Sequence, residues 1–201
     1  IHTSAILEPL NQDPENPLTR AEIDDDQLTI TGTKYLSELA SKAKNILVSV
    51  NSNEGVLLVL VDSSAVEISE LSTTANSPSF KVDLNAVSLD RSAIIHSSGK
   101  GLEALRYLIQ INMVMRSYVA LGVTERMTSL IASYTSEREQ FGRLIGSFQA
   151  VSHRAADCFI DLECLRLVNQ QAAVNLNTNL DCENDALVSK IWAGNACHRI
   201  S

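Results

Sequence analysis

Two regimes of hydrophobic spacing, meeting at Gly99-Lys100-Gly101, predict an α+β protein. The expected architecture is a small antiparallel β-sandwich or barrel over residues 1–98, followed by an antiparallel helical bundle over 99–201 that is incomplete at its C-terminal end. Before the switch, apolar residues alternate with period two in short runs; after it they recur at every third or fourth position. Proline and charge change at the same place. All four prolines (Pro9, Pro14, Pro17, Pro78) lie before it, with 14 acidic and 6 basic side chains. Residues 99–201 carry 10 of each, so the net charge of −8 belongs to the β part.

Residues 1–26 are turn-rich, with Glu8-Pro9, Asp13-Pro14-Glu15-Asn16-Pro17 and Asp24-Asp25-Asp26. Proline fixes φ and restricts the residue before it, so this stretch is expected as loop or sheet edge. Leu28–Gly32 alternates as a strand. Ile46–Val50 and Val56–Val61 form a hairpin around Asn51-Ser52-Asn53-Glu54-Gly55, and Phe80–Leu84 alternates again. Val66–Ile68 and Ala93–Ile95 are shorter candidates, for five to seven strands in all.

From Leu102 the apolar series is Leu105, Leu108 or Ile109, Asn112, Met115, Val119, Val123, Met127 and Leu130. This is a helix of about 30 residues, about 45 Å long. Glu137–Gly146 breaks it. A second helix follows from about Ser147 into Asn175–Asn179, with Phe148, Val151, Ala155, Cys158, Phe159, Leu162, Leu165 and Val168 on its apolar stripe. Asn177-Thr178-Asn179 is read as a turn. Asp181 or Asn184 caps a third helix that holds Ala186, Leu187, Ile191, Trp192 and Cys197. Long helices with short connections make a bundle.

An acidic chain without a basic run does not suit nucleic acid, whose phosphates need clustered Lys and Arg. No apolar run approaches the roughly 20 residues of a membrane span, and no secretory signal pattern is present. Cys158, Cys164, Cys182 and Cys197 fit no zinc or CxxC spacing and read as reduced cysteines of a cytoplasmic protein. His2, His96, His153 and His198 are too scattered for a metal site or triad. Asp24–Asp26 reads as a solvated turn, and Asp161 and Glu163, two apart on a helix, face different ways. No metal site is expected. The chain starts at Ile1 without a methionine and ends at Ser201 inside a helical pattern, as a fragment would.

The densest constellation is Tyr134–Gln149, which sets arginine, amide and aromatic groups beside two glycines at a helix–helix corner. Arginine suits phosphate bidentately, and an aromatic ring can lie beside a flat heterocycle. The competing reading is a solvated corner with Phe141 and Phe148 in the core.

The run Arg138-Glu-Gln-Phe-Gly-Arg-Leu-Ile-Gly-Ser-Phe-Gln149 resembles the R-x-Q-F-G-x-x-I-x-x-F-Q signature of the acyl-CoA dehydrogenase family. Ala5-Ile-Leu-Glu8-Pro9 resembles the A-x-T-E-P opening of that family's middle β domain. Leu28-Thr-Ile-Thr-Gly32-Thr-Lys34 is similar to its x-L-x-G-x-K strand, and Lys190–Ala193 with His198–Ser201 to a later helix. The resemblance implies an N-terminal helical domain before Ile1 and further helices after Ser201. It implies FAD, with Arg138 and Gln149 on the pyrophosphate and adenine side of a neighbouring subunit's cofactor, and Gln140 and Phe141 in the same cluster. It also implies an acyl-CoA substrate, electron-transfer flavoprotein as acceptor, and a homo- or hetero-oligomer, expected as a dimer of dimers.

The departures are specific. A Gly- and Ser-rich flavin-binding turn is replaced by Leu10-Asn11-Gln12-Asp13-Pro14. Leu36 and Glu38 stand where an aromatic and a small hydroxyl residue flank the flavin, and a carboxylate there opposes an anionic reduced flavin. The family's alternative base position aligns with Asn112, which cannot accept a proton; its usual glutamate would lie past Ser201. No catalytic residue is assigned in this chain. Three readings follow: a flavoprotein subunit performing α,β-dehydrogenation of an acyl thioester, a non-catalytic partner completing a neighbour's FAD site as in heteromeric actinobacterial members, or an unrelated binding module.

Overall fold

The computed structural model describes residues 1–74, 77–96, 99–178 and 182–201. The fold class is α+β, in two compact units, Ile1–Tyr107 and Leu108–Ser201.

Among the described residues the first unit holds one seven-stranded curled sheet: β1 (His2–Ala5), β2 (Arg20–Asp24), β3 (Gln27–Glu38), β4 (Asn45–Ser52), β5 (Gly55–Asp62), β6 (Glu67–Leu71) and β7 (Ser79–Asp90). The order is β1-β4-β2-β3-β7-β6, with β5 paired to β4. Most pairings are antiparallel, but β1 runs parallel to β4, and β2 meets β4 in parallel at Arg20 and Asn51. The β4–β5 hairpin closes through Ser52 opposite Gly55, leaving Asn53-Glu54 as a two-residue turn. Asp25-Asp26 likewise turns β2 into β3. Leu28, Ile30, Ile46, Val48, Val50, Val59, Val61, Val82 and Leu84 fill the core at the alternate positions expected of half-buried strands.

Two differences from the expectation have clear causes. The N-terminal stretch contributes β1 and β2 because its prolines fall between them, where no ladder N–H is needed. Ala93–Ile95 is no strand: Arg91–Ala93 winds a single 3₁₀ turn, and only Ile94 bridges to Val59. The Asp90 side chain accepts from the Ser92 N–H and starts that turn locally.

The helices are α1 (Gly101–Glu137), α2 (Gln149–Asn177) and α3 (Glu183–Ile200). Within the second unit, α2 and α3 run antiparallel in a register fixed by polar pairs. Asn175 meets Asp185, Asn169 meets Ser189, and Asp161 takes Arg199 in a two-pronged ion pair at 2.6 Å. Glu125 of α1 pairs with Arg166, while Val114 clusters with Ala172 and Ala186. Cys182 stands at the N-cap of α3; of the expected caps, Asn184 lies inside the first turn and Asp181 lies outside the described residues. The expected turn at 177–179 is described only through Thr178, which ends α2, its Asn179 being outside the described residues.

The buried stripe of α1 is not the one its largest apolar residues suggest. Met115, Val119, Val123 and Leu130 are exposed. Leu105 of the expected series is fully buried, but from residue 108 onward the buried positions are Val114, Ser117, Leu121 and Thr124, at spacings of three and four. Ser117 and Thr124 satisfy their hydroxyls on the Met113 and Ala120 carbonyls, four residues back, so small polar residues serve as core.

Candidate cofactor-contacting hairpin

The corner between α1 and α2 is a short β-hairpin. β8 (Glu139–Gln140) pairs with β9 (Arg143–Leu144), with Gln140 opposite Arg143. The Ile145 N–H donates to the Arg138 carbonyl at 2.8 Å and extends the ladder by one rung. Phe141 and Gly142 form the tip, both in the left-handed region at φ 54° and 76°. Glycine adopts this without strain; for phenylalanine it costs roughly 1 kcal/mol or more.

Phe141 is 92% exposed, so the reading that buried it in the core is not what the chain does. Its ring meets Phe148 edge-to-face, with centroids 6.2 Å apart. The Arg143 guanidinium carbon lies 4.0 Å from the centroid of Phe148. Arg138 is exposed, and its guanidinium makes no ion pair among the described residues. The Gln140 amide donates to the Glu139 carbonyl. Gln149 opens α2 and contacts His153 at 3.4 Å. The Gly146 backbone packs against the Thr135 carbonyl and closes the corner. An exposed guanidinium, two amides and an exposed ring held in strained backbone fit an anionic ligand with a flat heterocycle.

The Glu8 and Lys34 motifs are built differently. Lys34 is fully buried and donates to Glu8 Oε1 at 2.7 Å and to Ser49 Oγ at 3.0 Å. Glu8 also accepts from the Thr19 N–H and hydroxyl, the Leu18 N–H and the Asn11 amide. Burial alone would raise the Glu8 carboxyl, but the Lys34, Thr19, Leu18 and Asn11 donors outweigh it and hold the pKa at about 2. Burial pushes the Lys34 ammonium down to about 8, against the pull of Glu8. The partners thus point in opposite senses. The ionised Glu8 is the direction we stand behind, because five donors converge on it. Gly32 is required for close approach: a Cβ there would lie 2.6 Å from Thr19 Oγ1. These motif residues pin the loop between Glu8 and Thr19 and are spent on one another.

That loop does not fit a flavin. The Asn11 amide donates to Glu8 and to the Asn16 carbonyl, and Asp13 accepts from the Glu15 N–H and the Asn16 amide. Leu10 points fully into solvent at φ 62°, and Leu36 is exposed at φ 54°. Of the side chains in Leu10–Pro14, only Gln12 keeps unengaged donors among the described residues. The Asn112 amide donates to the Leu108 carbonyl one turn back. Sequence reasoning passed over Arg143 as a site residue; its place opposite Gln140, once a two-residue turn is set at Phe141-Gly142, is the signal that finds it.

A curled sheet joined to a helical unit, with an arginine-bearing hairpin at the helix corner, is the build that the resemblance to acyl-CoA dehydrogenases implies. A family model described as "Acyl-CoA dehydrogenase, C-terminal domain" matches residues 99–201, and the chain belongs to the acyl-CoA dehydrogenase family. The acyl-CoA dehydrogenase FadE27 of Mycobacterium tuberculosis is 31% identical over 182 residues, covering 86% of this chain and 48% of its own. The ChsE4–ChsE5 complex from the same organism superposes with a TM-score of 0.89 at 29% identity, over 100% of this chain and 53% of the matched one. The Tcur3481–Tcur3483 steroid ACAD gives 0.87 at 31% identity, over 99% and 54%. This chain spans about half the length of the curated relatives FadE27 and YngJ. No helix among the described residues is long and apolar enough to cross a membrane.

Proposed function

We propose that this chain is a subunit of an FAD-dependent acyl-CoA dehydrogenase and lends its hairpin to the cofactor of a neighbouring subunit. The observation that carries this reading is Arg138 and Phe141, both exposed and presented at a built corner inside the family-matched residues. Arg138 and Gln149 donate to the pyrophosphate and adenine side, with Gln140 and Phe141 beside them. Bound FAD would supply the hydride acceptor for α,β-dehydrogenation of an acyl thioester. The hairpin residues bind and orient. Proposed with it are electron-transfer flavoprotein as acceptor, assembly as a dimer of dimers, and a cytoplasmic location. The likeness to a steroid ACAD supports a steroid-bearing acyl-CoA over a simple fatty acyl one.

A second reading, a non-catalytic partner that completes a neighbour's FAD site, rests on one observation: the loop after Pro9 has closed on itself. Absorbance spectra of the chain purified alone and with a co-expressed family neighbour separate the two. A colourless chain that gains flavin only in the complex supports the partner role, whereas one flavin per lone chain rejects it. Arg138→Ala is expected to lower the flavin content of the complex; unchanged content would remove the hairpin from the cofactor site.

A further inference from the structure

The hairpin register places more positive charge at one spot than the motif reading assigned. Gln140 stands directly opposite Arg143, and Arg138 lies two residues before Gln140. The pleat of a β-ladder therefore puts Gln140 and Arg143 on one face and Glu139 with Leu144 on the other, while Arg138, exposed, directly follows α1 and immediately precedes the first strand. The carboxylate that could neutralise an arginine here is turned away. Arg143 lies over the Phe148 ring at 4.0 Å, and its side chain makes no hydrogen bond or ion pair among the described residues. An aromatic face holds a guanidinium by its flat side and leaves the N–H groups at its rim available to an oxyanion. Phe148 is itself fixed at the start of α2, where its carbonyl accepts from the Val151 and Ser152 N–H groups.

A dinucleotide pyrophosphate carries two negative charges, and Arg138 neutralises only one. We propose that Arg143 is a second guanidinium for that pyrophosphate, held on Phe148 so that it and Arg138 share the dianion. This rests on the reading that the hairpin meets a neighbour's FAD. It adds a binding residue and a source for it in the ring beneath.

The test uses the flavin-binding assembly with its partner subunit, stripped of flavin and titrated with FAD at low and high salt, with ADP and riboflavin as competitors. Arg143→Ala is expected to weaken FAD and ADP together by about tenfold at low salt, the scale of one charge-assisted contact. It should also flatten the salt dependence and leave riboflavin, which has no phosphate, unchanged. Arg143→Lys should keep most of the salt dependence. A merely structural role would weaken riboflavin as much as FAD, and that result overturns the proposal. So does FAD and ADP affinity within twofold of the unsubstituted protein. If Arg138→Ala weakens FAD while Arg143→Ala does not, only this proposal falls. If neither does, or if the assembly takes up no FAD, the hairpin reading falls with it.

Discussion

Glu8 meets donors from Lys34, Thr19, Leu18 and Asn11, and its acidity makes the fold sensitive to acid. With its pKa held at about 2 against an ordinary 4.5, the folded state binds fewer protons than the unfolded chain between those values. Its contribution is complete above pH 4.5 and is lost as pH falls toward 2. Urea unfolding should show up to about 3 kcal/mol lost over that window. Glu8→Gln should flatten this acid limb and, by leaving the Lys34 ammonium unpaired, cost about 3–5 kcal/mol near neutrality. Equal acid slopes for both proteins would refute the assignment. Phe141 allows a second test at this scale. Asparagine tolerates positive φ better than phenylalanine, so Phe141→Asn should leave the melting temperature level or raise it. The same change should weaken FAD uptake by the assembly, separating a binding role from a structural one.

Among the elements, α2 and α3 are zipped by polar pairs, of which Asn169–Ser189 is fully buried, and by an apolar cluster. Leu165 is fully buried in that cluster beside Leu121, Leu162 and Ala196. Leu165→Ala should cost about 2–5 kcal/mol in denaturant unfolding. A loss below about 1 kcal/mol would mean the helices collapse freely onto the gap. The existence and order of the helices were legible from their spacing, and the break at 137–146 was legible from Gly142 and Gly146. The face α1 buries was not. Apolar residues occur nearly all round it, and hydroxyls bonded to the preceding turn pass as core only when a neighbour covers them. The strands of residues 1–26 were hidden for a related reason: prolines marked turns, but the parallel partner that makes β1 a strand lies some forty residues on.

For the whole molecule, Met115, Val119, Val123, Phe159, Ile160 and Leu167 remain exposed in the single chain. Exposed apolar side chains on the helices are the surface that the proposed oligomer would cover. Sedimentation of the purified chain should give species well above 21.9 kDa, or a heteromer when a family neighbour is present. Added salt should not dissolve contacts that are apolar rather than ionic. A monodisperse monomer at every concentration would contradict the proposed oligomer.

The sequence by itself determined the α+β class, the switch near Gly99 and the family, because hydrophobic period and contiguous motifs are local properties of a chain. It also showed the missing glycines after Pro9 and the missing carboxylate at Asn112. Only the tertiary structure decided what the matched residues do. Glu8 and Lys34 stood in two separate motifs, yet they close on each other across 26 residues of chain. Arg143 looked incidental, yet the hairpin sets it opposite Gln140 and over the Phe148 ring. A motif states which groups are present; their distances, and therefore their partners, are set by register and burial.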